Sequence, residues 1–391
     1  MANTLTAIIP TIYAGLDTVS REMIGITPAV ARNVAAERVA VGQTVSVPVT
    51  PAATGGNITP GATPPNDGDQ TLGKVDLTIS KSKYSPVRWN GEEQLAIGPT
   101  GQYNKILADQ FTQSFRWLAN QVEVDLMMAA YLAASRAVGT PGTTPFGTAD
   151  DLSDFAALNR ILDENGAPMF DRQLIVGSAA RQNLEGKQKV FFKANEAGTD
   201  GLLRDRILNK AFGFQIGYSH AAPFHTKGAG VGYDINNGAG EGIGQTVITL
   251  DGGTVNTTGI KAGDVVSLAG DTNGYVVGTG LAAVSGDIVL NEPGLRIAAA
   301  DATELTIGDS YTANVAFTPD ALMLAARAPA LPIINGRPQD SAEDRMTVID
   351  PVSGLAFEIS MYLEYRQVRY EVALAWGVSA IKKAHIALLR G

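Results

Sequence analysis

The sequence predicts an α+β fold in which a small β-barrel is inserted into a mixed α/β body. Three observations predict it. Residues 103–137 contain neither Pro nor Gly, and their apolar residues step by three and four. Alternating segments stand on both sides of a polar stretch at residues 50–72, which holds almost nothing that could form a core. Residues 245–312 break into short alternating runs bounded by Gly, Asp or Asn, with mixed α/β sequence before and after them.

The first 45 residues read as an arm with short helices. Leu5, Ile8, Ile9, Ile12, Leu16 and Val19 recur at helical spacing, with Pro10 interrupting the donor pattern. GQTVSVPV (42–49) reads as a strand, and KVDLTISKSKYSPVRWN (74–90) restores the alternation at Val75, Leu77 and Ile79. Alternation on both sides of 50–72 favours an extended hairpin with a polar tip over a disordered linker. The long helix follows, with Leu107, Phe111, Phe115, Leu118, Val122 and Leu126 on one face, continued by Ala130 and Ala134. Glu123 falls among the polar positions, with Asn104, Lys105, Asp109, Gln113, Arg116 and Asn120.

DDLSDFAALNRILDENG (150–166) is a short amphipathic helix with Asp150 or Asp151 as its cap. RQLIVGS (172–178) is a buried strand, a helix begins at Ser178, and FGFQIGY (212–218) is another strand. A glycine-rich stretch leads into the β-rich block, where Gly263, Gly270 and Gly274 read as turn residues. FTPDALMLAARAPALP (317–332) reads as helix. RMTVIDPVS, the long alternating stretch that Gly377 breaks, and a last strand carrying His385 close the chain. A separate middle domain is the alternative to insertion. The short C-terminal part, whose strands need partners from before residue 220, favours insertion.

Composition narrows the function. The chain has 391 residues, a net charge of −9 and 18% charged residues. An acidic chain is not a general nucleic-acid binder. A low charge fraction suits broad packing between subunits. With no cysteine, disulfide scaffolds, Cys-zinc sites and Cys nucleophiles are excluded. No signal peptide or transmembrane helix is expected, so no membrane partner is.

No stretch carries catalytic chemistry. GAGEGIG (238–244) has the glycines of a nucleotide loop but leads into a strand, and no GxxxxGK[ST] occurs. His220 and His225 flank Pro223 with no cysteine and few carboxylates nearby, which is weak for zinc. VGSAA around Ser178 lacks the nucleophile-elbow pattern. DDLSD (150–154) reads as a solvated capping region. No catalytic residue, metal or cofactor is assigned, and no enzyme is expected. KSK (81–83), KQK (187–189) and RDR (204–206) could form ion pairs between subunits or touch enclosed nucleic acid.

In order, these elements resemble the major capsid proteins of tailed bacteriophages with the HK97-like fold, and most closely the P22 coat protein family. GITPAVARNVAAERVAVGQTVSVPV is similar to the arm entering the hairpin. DQFTQSFRWLANQVEVDLMMAAY resembles the spine helix, and TTGIKAGDVVSLAG the opening of the inserted barrel (the I-domain). FTPDALMLAARAPALP resembles the helix and exit segment of phage coats. The resemblance implies an N-arm at 1–45, an E-loop hairpin at 46–92 and a peripheral domain with the spine helix at 93–150. It implies an axial domain at 151–227 and 317–343, an inserted barrel at 228–316 and C-terminal strands at 344–391.

The implied function is a coat protein whose copies, in hexamers and pentamers, form an icosahedral head around double-stranded DNA without reading its sequence. A separate scaffolding protein, a portal, a possible decoration protein and assembly in the bacterial cytoplasm follow from the resemblance; no leader cleavage is expected. The expected contact residues are Asn57, Pro60, Asp67, Lys81, Lys83 and Arg88 in or near the hairpin, with Arg204 and Arg206. A tail-tube or decoration protein is one alternative, weakened by the long helix. A secreted β-rich adhesin is another, weakened by the missing signal peptide.

Overall fold

The computed structural model describes residues 22–33, 37–50, 53, 55, 57–58, 60, 71–97, 103–188, 208, 210–254, 259–334 and 336–391. From the N-terminal side come a 3-10 turn (Thr27–Ala29), β1 (Ala31–Asn33), β2 (Thr44–Val49), β3 (Gly73–Thr78) and β4 (Lys81–Asn90). Two helices follow, α1 (Gly91–Ile97) and α2 (Tyr103–Leu132), then β5 (Arg136–Val138), α3 (Ser153–Glu164) and β6 (Arg172–Val176). Next are α4 (Ser178–Lys187), β7 (Lys210–Ala211), β8 (Phe214–Tyr218) and β9 (Phe224–His225). Six strands come in succession: β10 (Tyr233–Ile235), β11 (Val247–Asp251), β12 (Val265–Leu268), β13 (Gly274–Thr279), β14 (Gly286–Leu290) and β15 (Glu304–Ile307). The last are β16 (Tyr311–Phe317), β17 (Leu322–Arg327), β18 (Ile333–Ile334), β19 (Arg337–Pro338), β20 (Asp344–Ile349), β21 (Ala356–Glu364), β22 (Gln367–Ala380) and β23 (Ile386–Arg390).

At 30 residues α2 is about 45 Å long. Its apolar stripe, Leu107, Phe111, Phe115, Leu118, Val122 and Leu126, is completely buried. Each such side chain stabilises the fold by about 1.5–3 kcal/mol. The stripe lies on a sheet ordered β1-β17-β22-β21-β20, with β4 on the other side of β22. Phe111 meets Tyr370 edge-on at 5.5 Å and Phe115 meets Phe357 at 5.2 Å. The sheet's organiser is β22, whose 14 residues pair with β4 along one side and with β21 then β17 along the other.

A second sheet, ordered β5-β23-β16-β6-β8-β7, is covered by α3 through Phe155, Leu158, Ile161 and Leu162. Every residue of β6 is buried, as expected of an interior strand.

The strands β10 to β15 close into a barrel in the order β12-β15-β10-β11-β14-β13, and β13 returns to pair with β12. All six ladders are antiparallel. The barrel has its own core of Tyr233, Ile248, Leu250, Val266, Tyr275, Val277, Ile288, Leu290 and Leu305. It begins with β10, upstream of the 245 read from the sequence. Its entry and exit strands pair with each other, Tyr311 opposite His225, so the barrel is inserted between neighbouring strands of the body. Gly274 opens β13 rather than making a turn. A Cβ there would lie 2.9 Å from Val265 Cγ1, and the strand pairs with β5 opposite Ala137. Asn291 Nδ2 donates to the carbonyls of Leu132 (2.8 Å) and Ala134 (2.9 Å), so a barrel residue satisfies the end of α2.

Several expectations are corrected. Residues 317–332 form the end of β16, a 3-10 turn and β17, not a helix. Here an apolar run buried on both faces carries no period, and β17 pairs with β1 and β22. The long helix ends at Leu132, and Ala134 leads into β5. Residues 81–90 leave the hairpin and enter the body sheet against β22, so the hairpin strands run from Thr44 to Thr78. Gly377 lies inside β22, and His385 stands on a 3-10 turn (Lys383–His385). Neither Asp150 nor Asp151 is the N-cap of α3, which is Leu152; Asp151 Oδ1 accepts from the Ser153 N–H at 2.9 Å.

Candidate functional site

The hairpin of β2 and β3 has little core of its own. It is held by six aligned pairs from Thr44 opposite Thr78 to Val49 opposite Gly73. Its side chains alternate between exposed and half-buried, and within the two strands only Leu77 is buried. At the root Leu77 and Ile79 pack with Val39, Ala325 and Ala375. The root is tied further by the Gly42 N–H to Ile79 carbonyl bond (2.9 Å) and the Ser80 N–H to Trp376 carbonyl bond (3.1 Å). Outward, the fastening is polar: Ser46 Oγ donates to Asp76 Oδ1 at 2.5 Å, and Lys74 stands 3.4 Å from the same carboxylate. The Ser46 bond, then Lys74, holds the Asp76 carboxyl below its usual range. An uncovered two-stranded ribbon is marginal in water. Its stability therefore calls for a surface to lie on.

The expected contact residues divide. Asn57 and Pro60 are exposed at the hairpin tip, where Ile58 is 99% exposed. Asp67, Arg204 and Arg206 lie outside the described residues, as does the helical pattern at residues 5–19. Lys81 and Lys83 are engaged inside the subunit. Lys81 Nζ is 2.6 Å from Asp125 on α2, whose other oxygen accepts from Trp376 Nε1 at 2.8 Å. Lys83 Nζ donates to Gln121 Oε1 at 2.6 Å and lies over the Trp117 ring at 5.5 Å. Both lysines fasten β4 to the long helix. Arg88 is exposed on the outer face of β4, the face that also carries Tyr84.

A residue set the sequence did not single out fixes the N-terminal segment. Glu123 is fully buried on α2. Its carboxylate accepts from the N–H groups of Gly25 (2.8 Å), Ile26 (3.0 Å) and Thr27 (3.0 Å) and from Thr27 Oγ1 (2.6 Å). One to two turns earlier on α2, Arg116 pairs with Glu22, which also accepts from Asn120 Nδ2 at 2.7 Å. The Arg116 bond chiefly, against partial burial, holds the Glu22 carboxyl down at about 2. The available signal was spacing: Arg116, Asn120 and Glu123 share one helix face at steps of four and three.

A groove of about 840 Å³ opens between α1 and the β21–β22 turn, with Leu95, Leu363 and Tyr365 on its walls. Tyr365 is 89% exposed.

The residues weighed for chemistry serve the fold. His220 Nδ1 is 3.1 Å from the Met23 carbonyl oxygen. His225 is buried, with Nε2 2.8 Å from Asp264 Oδ1, between the rings of Tyr131 and Tyr311. Ser178 starts α4, and residues 238–244 connect β10 to β11. Among the described residues no group of three His, Asp or Glu could hold a metal ion. Nor is any described helix long and apolar enough to cross a membrane.

No protein-family profile matches the chain, and no curated protein matches it in sequence. Solved structures do match. The capsid structure of cyanophage P-SCSP1u aligns over 95% of this chain and 89% of its own, at 11% identity and a TM-score of 0.50. Gordonia phage Cozz aligns over 95% and 88% at 11% identity and a TM-score of 0.47. The capsid of a native GTA particle aligns over 95% and 91% at 10% identity and 0.46. At scores under 0.5 the latter two add nothing to the assignment. The likeness to the cyanophage structure is one of fold: this chain is built as that capsid subunit is built.

Proposed function

We propose that this chain is a major capsid protein of the HK97-like type, whose copies assemble into a closed icosahedral head around double-stranded DNA. One observation carries the reading. The Thr44–Val49 and Gly73–Thr78 ribbon leaves the body with one buried residue, Leu77, and otherwise exposed or half-buried side chains, in a chain with a phage capsid fold. In this reading the ribbon is the E-loop and lies on a neighbouring copy, with Asn57 and Pro60 at the contact and Asp67 as a further contact candidate. Helix α2 is the spine of the peripheral domain, residues 22–33 belong to the N-arm, and residues 151–227 and 317–343 form the axial domain.

The inserted barrel supports a relationship to the P22 coat protein family, whose axial region carries an inserted β-barrel. Hexamers and pentamers of the chain form the shell, with a separate scaffolding protein and a portal as assembly partners. Assembly takes place in the bacterial cytoplasm, and the virion is the final location. Enclosed DNA is held by confinement rather than by sequence, in keeping with a net charge of −9. Arg88, Arg204 and Arg206 are contact candidates between copies; Lys81 and Lys83 act within one.

The test is electron microscopy of the purified chain, alone and with its scaffolding protein. Closed shells or capsomer arrays are expected. A protein that stays monomeric under both conditions refutes the assignment.

A further inference from the structure

Arginines distant in sequence converge where the barrel meets the body. Arg136 on β5, Arg160 on α3 and Arg390 on β23 line one cavity of about 250 Å³, closed on the barrel side by Thr272, Asn273 and Gly274. That volume is several times the ~30 Å³ share of one water. The arginine side chains differ in exposure: Arg136 is 2% exposed, whereas Arg160 is 55% exposed and guards the mouth.

One carboxylate serves two of them. Glu164 stands 2.5 Å from Arg136 Nη1 and 3.8 Å from Arg160 Nε. Arg136 also donates to Asn273 Oδ1 (3.1 Å), Asn165 Oδ1 (3.1 Å) and the Ile161 carbonyl (3.3 Å), so both of its terminal nitrogens are engaged, while its Nε is buried without an acceptor. Arg390 forms no ion pair among the described residues, and its Nε is likewise buried without an acceptor. Burial is the main influence on the Arg390 guanidinium and lowers its pKa. Nearby acids are already engaged. Asp271 accepts from Asn273 and Tyr275, while Asp151 and Asp154, in an adjoining cavity that Arg390 also lines, accept from the Ser153 and Phe146 N–H groups. Three guanidiniums therefore line one cavity, and among the described residues Glu164 is the one carboxylate ion-paired with any of them.

We propose that this cavity is an oxyanion site that takes a phosphate group. The Arg160 and Arg390 guanidinium forks match a tetrahedral oxyanion, Arg136, with its terminal nitrogens engaged, adds its charge, and low local dielectric strengthens the bonds. The bound ion bridges α3, β5, β23 and the β12–β13 turn, so it fastens the barrel to the body. This inference is independent of the capsid reading, because it concerns the folded subunit alone.

The test uses the purified full chain at constant ionic strength, with sodium chloride exchanged for sodium phosphate. A saturable rise in Tm and a single-site calorimetric isotherm are expected. Arg160→Gln and Arg390→Gln should each weaken phosphate binding about tenfold, as loss of a charge-assisted bond implies. Lys382→Gln, away from the cavity, should leave it unchanged. Arg160 is surface-accessible, so its variant folds and keeps the test decisive if Arg390→Gln does not. A wild-type protein that shows neither a saturable Tm shift nor a binding heat overturns the proposal, and so does Arg160→Gln binding phosphate as tightly as wild type. A short single-stranded oligonucleotide separates the sources. Displacement of inorganic phosphate assigns the site to nucleic-acid phosphate, and its failure assigns the site to the free ion.

Discussion

The hairpin and the barrel are both antiparallel β excursions from one body, and they solve the problem of exposure in opposite ways. The barrel closes on itself, so its ladders leave no open edge and its apolar side chains face a private core. The hairpin stays open, with two strands, two wet faces and apolar packing only at the root. A closed excursion can be stable within its own subunit. An open one stores its unmade contacts for another molecule. The barrel is accordingly read as an internal reinforcement and the hairpin as an intermolecular arm.

That contrast can be broken by experiment. The largest effect should come from the hairpin tip. Replacing residues 50–72 with Asn-Gly, which suits a two-residue turn after Val49, should leave the isolated subunit's Tm nearly unchanged and abolish shell formation in micrographs. If shells still form, the hairpin is not the assembly arm. Truncation inside the two excursions should separate them next. Leu250→Ala in the barrel core should cost about 2–5 kcal/mol in urea unfolding, whereas Val47→Ala in the hairpin should cost under about 1 kcal/mol in the subunit. Equal costs would erase the distinction.

The N-terminal segment is a third case, an extended piece held by a buried carboxylate. Glu123→Gln should cost about 2 kcal/mol and speed proteolysis within residues 22–33, because three backbone N–H groups lose a charged acceptor. The smallest effect concerns Glu22. Its carboxyl is held at about 2 against an ordinary 4.5, so its contribution is complete above pH 4.5 and fades as the pH falls toward 2. Since the pair is partly solvated, Arg116→Gln should flatten the acid limb of a Tm–pH profile only slightly.

Legibility followed contact range. The long helix was readable because one face of it is apolar at steps of three and four, and the barrel because short alternating runs are set off by Gly and Asp. Both signals are local. Residues 322–327 misled because a strand buried on both sides has no alternation to show. Glu123 reads as one more polar position of the helix because nothing in its neighbourhood reveals that residues 25–27, about a hundred positions earlier, lie across it. The same holds for Lys81 and Lys83, whose partners Asp125 and Gln121 are brought close only when β4 docks on α2. The gathering of Arg136, Arg160 and Arg390 depends on β23 pairing with β5 and on α3 packing over that sheet. No spacing rule anticipates it.

Gly377 has a mechanical consequence. A Cβ at this position would stand 2.2 Å from the Thr78 carbonyl oxygen, where the end of β3 crosses β22. The hairpin thus pivots on bare backbone, with no side chain as a cushion between the crossing chains. From that fulcrum six residues of ribbon extend about 20 Å before the tip begins. Any displacement at the pivot is magnified along that length. A methyl group at Gly377, which is buried within β22, would re-aim the whole arm.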